Sequence, residues 1–345
     1  MYRKNKLLLA LIISISMLIV GCNTAQESSL PVSPSQTELA DTSTDSGEYN
    51  TDEQNSEAVE KTTLIIGTFN IDTKAPEIDV NDQRKLLSDE GVEIFGIQEV
   101  TVNTKRHGID MYDPLNDFQK DIYVDSYFGQ SIKKGTGGYG NGIVSAYPII
   151  ESGVTELYGA KQAPEELMSE LIEIYENLDS DDEKAMEQMM VVWGPDGLVS
   201  QGALEPRSYS RALIEKEGKQ IAFYSTHLSV ESVEVRKEQL KELSTALHND
   251  PMEYKIIVGD FNTDQGKEEY DVFIENGFTL ANGYKDVWIE TMESEDTARE
   301  ASEIKMNIKY LDNIIVSGNI DINWVKAVET DLSDHYPLIA EIVLR

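Results

Sequence analysis

Val258-Gly259-Asp260-Phe261-Asn262 and, about seventy residues later, Ser333-Asp334-His335-Tyr336-Pro337-Leu338 decide how this chain is read. In the first stretch Asp-x-Asn follows an apolar run; in the second Asp-His sits between a serine and a Tyr-Pro. Both place polar side chains at predicted strand ends, where carboxylates, an amide and an imidazole can converge. A hard divalent cation takes oxygen ligands and leaves room for a substrate. Phosphoester cleavage needs proton donors and acceptors beside such a site. Either stretch alone is weak evidence; together, in this order, they point to phosphoester chemistry.

Working outward, apolar runs bounded by polar residues give further strands. Residues 62–70 read as a buried first strand ending at Asn70, and Glu93 to Glu99 as a second ending at a glutamate. A helix is predicted near Val80 to Glu90. Gly135 to Gly142 reads as a glycine-rich loop entering a short strand at Ile143 to Ala146. Residues 210–215 and 220–226 form a hairpin about Lys216-Glu217-Gly218-Lys219. Val233 to Leu247 is an amphipathic helix with Val235, Leu240, Leu243 and Leu247 near helical spacing. Strands at 255–259, 310–317 and 337–344 complete a layered α/β pattern. Ala163 to Met190 stands apart as a strongly acidic helical insertion, within a stretch of about 160–204, lying over one face.

The N-terminal residues speak to location. Arg3, Lys4 and Lys6 precede an apolar run from Leu7 to Val20, which is short for a span of about 20 residues and matches a signal peptide. Ile19-Val20-Gly21-Cys22 resembles a bacterial lipoprotein signal. The expectation is a signal peptide over 1–21, acylation (palmitate among the chains) at Cys22, and a membrane-tethered protein facing away from the cytoplasm. More than one acyl chain makes such an anchor stable. Cys22 is the sole cysteine, so no intrachain disulfide can form. Residues 22–61 are rich in Ser, Thr, Asp, Glu and Pro and read as a disordered linker; the catalytic part is expected over 62–345.

The chain of 345 residues carries a formal net charge of -34. Such a surface repels polyanions over most of its area, so a nucleic acid would have to be held through a metal and a local basic patch.

Thr68-Phe69-Asn70, Gln98-Glu99-Val100, Gly140-Asn141-Gly142-Ile143-Val144-Ser145, Ser225-Thr226-His227-Leu228, Gly259-Asp260-Phe261-Asn262, Leu311-Asp312-Asn313-Ile314 and Ser333-Asp334-His335 follow one another in an order that resembles the endonuclease/exonuclease/phosphatase superfamily. The resemblance covers roughly Thr62 to the end, interrupted by the acidic insertion. It implies a four-layer α/β sandwich, two mixed β-sheets face to face with helices on the outer faces. It also implies Mg²⁺, or Mn²⁺, held by Glu99 with Asn70 and Asp334 beside it. Asp260 would orient or deprotonate the attacking water, and Asn262, on the same side of an extended segment, would donate to a phosphate oxygen. Asp312 would fix the tautomer of His335, whose other nitrogen faces the phosphate. His227 would donate from across it. Whether His335 or Asp260 is the base stays open.

Arg211 or Arg207, Tyr139 and Asn141 are candidate substrate contacts, whereas His107 and His248 read as surface residues. Ser229-Val230 departs from relatives, which often carry an acidic residue or histidine there. The expected activity is a nuclease acting on DNA or RNA as a monomer. The rival within the class is a sphingomyelinase-like or other phospholipid phosphodiesterase, and the rival outside it a non-catalytic binding lipoprotein.

Overall fold

The structure is a computed structural model and describes residues 61–71, 78–106, 109–178, 183–263, 268–292 and 309–345. The expected signal peptide, Cys22, the expected linker up to residue 60 and His107 lie outside the described residues. Among those described, no helix is long and apolar enough to cross a membrane.

Fourteen strands are described: β1 (Thr62–Asn70), β2 (Ile94–Val102), β3 (Thr104–Arg106), β4 (Ile109–Tyr112), β5 (Asp125–Lys134), β6 (Gly137–Ser145), β7 (Ile149–Glu156), β8 (Ser208–Lys216), β9 (Lys219–His227), β10 (Tyr254–Asp260), β11 (Phe278–Leu280), β12 (Asp312–Ser317), β13 (Ile320–Ala327) and β14 (Leu338–Leu344). The helices are α1 (Val80–Asp89), α2 (Leu115–Phe118), α3 (Glu165–Glu176), α4 (Glu183–Trp193), α5 (Val233–Asn249) and α6 (Asp271–Glu275). One six-stranded sheet runs β13-β14-β1-β2-β6-β5 and a second runs β11-β12-β10-β9-β8-β7, while β3 and β4 pair separately. Within them β1–β2 and β9–β10 are parallel and the other pairs antiparallel. Both sheets are therefore mixed, as expected.

Period-two alternation builds the layers. Leu64 and Ile66 of β1, Ile94 of β2, Phe223 of β9, Ile256 and Val258 of β10 and Ile314 of β12 share one buried cluster, the apolar space between the sheets. The alternate residues face outward. Phe69, Phe95 and Ile97 pack with Val80 and Leu87 of α1, whereas Tyr224 and Ile257 pack with Leu240, Leu243 and Leu247 of α5. Each fully buried aliphatic or aromatic side chain contributes roughly 1.5–3 kcal/mol, and the inter-sheet cluster is the largest such store. Ser232 caps α5 by accepting from Val235 N at 3.3 Å, and Asp79 caps α1 by accepting from Asn81 N at 2.8 Å. The β8–β9 hairpin turns on Glu217 and Gly218, at φ 52° and 75°, the left-handed pair that a two-residue turn requires.

Three expectations need correction. The glycine-rich stretch is mostly strand β6, because neighbouring backbones press on it. A Cβ at Gly137 would lie 1.8 Å from Val102 O, and one at Gly140 would lie 2.1 Å from Gly129 O. The second strand does not end at Glu99 but runs to Val102 through a bulge between Ile97 and Val100. The acidic insertion comprises two helices, α3 and α4, which pack Met168, Leu171 and Tyr175 with Val192, Leu198, Ile132 and Tyr139.

Candidate active site

The inner faces of the sheets change character toward the ends of β1, β2, β9 and β10. Above the apolar cluster lies a polar layer: Thr68 Oγ1 donates to Gln98 Oε1 at 3.1 Å, and Gln98 Nε2 donates to Ser225 Oγ at 3.2 Å. All three side chains are buried, and the chain of bonds ties one sheet to the other. Gly96, two residues earlier on β2, lets the sheets approach: a Cβ there would meet Val258 Cγ2 at 2.5 Å.

One further step along the same alternation places Asn70, His227, Asp260 and Asp312 together. Asp260 and Asp312 stand opposite each other on β10 and β12, and Asp260 stands beside His227 on β9. Asn70 Nδ2 donates to Asp260 Oδ2 at 3.1 Å and to Glu99 Oε1 at 3.3 Å. Glu99 reaches this position from the bulge, with φ at 59°. An L-residue pays for such a conformation, and strain of this kind gathers at functional positions. His335 Nδ1 lies 2.8 Å from Asp312 Oδ2. Its Nε2 stands 3.6 Å from Asp260 Oδ2, and His227 Nε2 stands 3.5 Å from that same oxygen.

The supporting contacts are dense. Ser333 Oγ donates to Asn70 O at 2.7 Å and accepts from His335 N at 3.2 Å, joining the Ser-Asp-His turn to the end of β1. Asp312 N donates to Thr291 Oγ1 at 3.2 Å, and Tyr336 N donates to Thr291 O at 2.7 Å. Thr291 therefore clamps the segments that carry Asp312 and His335. The sequence reading missed it, since a lone threonine carries no pattern.

Electrostatics follow from burial. Desolvation raises the Asp260 carboxyl above its usual range, against the pull of His227 and His335. Desolvation works against the His335 imidazolium, yet Asp312, Asp260 and Asp334 outweigh it and hold His335 well above the ordinary histidine value. The Asp312 carboxylate on Nδ1 fixes the orientation of the His335 ring and leaves Nε2 toward Asp260.

The donor set suits a hard divalent cation. Glu99, Asp260 and Asp312 with the Asn70 amide outnumber the two imidazoles, so oxygen donors dominate, while Asp334 Oδ1 accepts from Ser333 Oγ at 3.3 Å. Ligand atoms of Asp260, Asp312 and His335 lie within 4.8 Å of one another, and buried Asp312 Oδ1 accepts no hydrogen bond among the described residues. This cluster overlaps the expected Glu99, Asn70 and Asp334 set only through its neighbours. Glu99 stands beside this cluster through Asn70, which donates to both Glu99 and Asp260.

Five expected roles change. Asn262 does not continue an extended segment: its φ is 50°, its backbone N donates to Asp260 Oδ1 at 3.0 Å, and its Nδ2 donates to Leu228 O at 2.9 Å. It buttresses the His227 turn. Arg211 is drawn away from the cluster, with Nε 2.6 Å from Asp250 and Nη1 3.1 Å from Glu151. Arg207 is buried, 3.1 Å from Glu205. Asn141 crosses between the sheets, donating to Ser208 O at 2.9 Å, and Tyr139 is buried beneath the insertion. Neither is an exposed substrate contact.

Sequence and structure comparisons bear on the family and the fold. Residues 67–335 match the model of the Endonuclease/Exonuclease/phosphatase family, while no curated protein is detectably similar. A Bacteroides vulgatus endonuclease/exonuclease/phosphatase superposes with a TM-score of 0.56 at 19% identity, covering 82% of this chain and 100% of the other. A mannosyl-6-phosphatase of Bacteroides thetaiotaomicron VPI-5482 superposes at 0.52 and 16% identity, covering 81% and 99%. D. rerio TDP2, complexed with a single-strand DNA product, superposes at 0.50 and 14% identity, covering 81% and 99%. The shared fold, the ordered motifs and the match across most of the chain place this protein in the endonuclease/exonuclease/phosphatase family.

Proposed function

We propose that this protein hydrolyses phosphoesters with a divalent cation, Mg²⁺ or Mn²⁺, and that nucleic acid phosphodiesters are its first substrate class. The observation that carries the reading is the convergence of both imidazole Nε2 atoms on Asp260 Oδ2 while Asp312 holds the far side of His335. Glu99, Asn70 and Asp334 would hold the cation. When bound, it supplies Lewis-acid stabilisation of charge on the phosphoryl oxygens.

The chain's own residues do the rest. Asp260 orients the attacking water and takes its proton as the water oxygen bonds to phosphorus and the ester P–O bond breaks. His335, kept protonated by Asp312, donates from Nε2 to a phosphoryl oxygen, and His227 donates toward the leaving oxygen. Asn70 and Asn262 hold the acceptors in place from either side.

A second reading, a small phosphoester substrate, is supported by the charge of -34 and by the commitment of Arg207 and Arg211 to Glu205 and Asp250. The mannosyl-6-phosphatase among the structural neighbours fits it. Phospholipids come third, through the proposed tether at Cys22 on the outer side of a bacterial membrane.

Plasmid DNA, RNA, mannose 6-phosphate and sphingomyelin, each incubated with Mg²⁺ or EDTA, separate these readings. DNA left intact beside released inorganic phosphate would reverse the ranking. No turnover of any of them, nor of bis(4-nitrophenyl) phosphate, with either metal would leave a binding protein.

A further inference from the structure

The acidic insertion enters after β7 and leaves before β8, and its two ends meet where Leu157 N donates to Arg207 O at 2.8 Å. Glu205 stands at its exit, 4% exposed. The carboxylate accepts from the Tyr175 hydroxyl of α3 and pairs with Arg207 at 3.1 Å, and Trp193 Nε1 of α4 approaches the same hydroxyl at 3.4 Å. Helix α3 therefore reaches Glu205 directly, and α4 reaches it through the Tyr175 hydroxyl.

From there the chain of bonds leads to the active site. Glu205 N donates to Glu231 Oε1 at 2.9 Å, and Glu231 Oε2 accepts from the Ser229 hydroxyl. Ser229 is buried and lies two residues beyond His227. The intervening Leu228 peptide is held from the catalytic side, its N–H on Asp260 O at 2.9 Å and its carbonyl on Asn262 Nδ2. The turn that carries His227 is thus gripped between the catalytic strand and the insertion.

We infer that the insertion is a positioning arm for His227, acting through the Glu205–Glu231 hydrogen bond and the Ser229 hydroxyl. The inference rests on the catalytic part given to His227 above. Its content is separable from mere stabilisation, because an arm that acts through His227 has nothing to act on once the imidazole is gone.

The test is a double-mutant cycle on the full chain. Glu231→Gln and Tyr175→Phe are each measured alone and with His227→Ala, using bis(4-nitrophenyl) phosphate and Mg²⁺. Each single change is expected to lower kcat by about three- to tenfold with KM within about twofold, and to cost less than about twofold in the His227→Ala background. In ¹³C-histidine spectra the His227 cross-peak, identified by its loss in His227→Ala, is expected to move while that of His248 stays. Equal losses in both backgrounds, or a stationary His227 cross-peak, overturn the inference. Should Glu231→Gln fail to fold, Tyr175→Phe carries the cycle by itself. The cross-peak is read without turnover, so a protein inactive on phosphoesters would refute the proposed activity and still leave the arm to be judged.

Discussion

Replacing Asp312 with asparagine isolates what the carboxylate does for His335. The pair stand 2.8 Å apart and both are buried. At an effective dielectric of 20, unit charges at that distance attract by about 6 kcal/mol before desolvation. Burial of the two groups cancels a large part of this, leaving on the order of 3–5 kcal/mol of imidazolium stabilisation and orientation. At about 1.36 kcal/mol per decade, kcat should fall by about 10²- to 10⁴-fold with KM little changed. Stability should fall as well, since removing one partner of a buried pair leaves the other uncompensated and costs about 3–5 kcal/mol. The thermal midpoint should therefore drop, and kcat is read well below the midpoint of the variant. The assay is bis(4-nitrophenyl) phosphate turnover beside a melting curve. A loss in kcat below about tenfold would refute the idea that Asp312 sets the state of His335.

EDTA should abolish turnover, and Mg²⁺ or Mn²⁺ should restore it, with the circular dichroism spectrum unchanged throughout; activity that survives chelation contradicts the assigned cation. Desolvation raises the Asp250 carboxyl, but bonds from Arg211, Tyr224 and Met252 N more than offset it and leave it below its ordinary value. Its stabilisation is therefore complete above the unfolded carboxylate value near 3.9 and is lost as pH falls through the lower folded one. Asp250→Asn should cost about 1–3 kcal/mol at pH 7 and flatten the acid limb of a plot of melting temperature against pH. Gly96→Ala should destabilise by about 1–3 kcal/mol through overpacking, read by urea titration, because the added methyl collides with Val258 and Ser225.

The catalytic groups were legible because each closes a short run whose alternation a reader can follow: Asn70, His227, Asp260 and Asp312 all extend the inner-facing register of an apolar strand. Glu99 was found for its residue type but not for its geometry, since nothing in Gln98-Glu99-Val100 announces a φ of 59°. Strand β7 carries almost no buried side chain, so it had no alternation to display. The glycines of β6 looked like a loop because the reason for them, the neighbouring backbones of β2 and β5, is remote in sequence. Arg211 illustrates the limit for cations. A guanidinium reaches far enough that only the folded arrangement decides between a substrate and Asp250.

The Thr68–Gln98–Ser225 layer gives the molecule an unusual economy. Because it bolts the sheets together directly beneath the reactive groups, any slippage between them alters the spacing of Asn70 on one side and of His227 and Asp260 on the other. Heat tolerance and turnover then draw on the same calibration. A lineage adapting this protein to a new temperature must retune both at once.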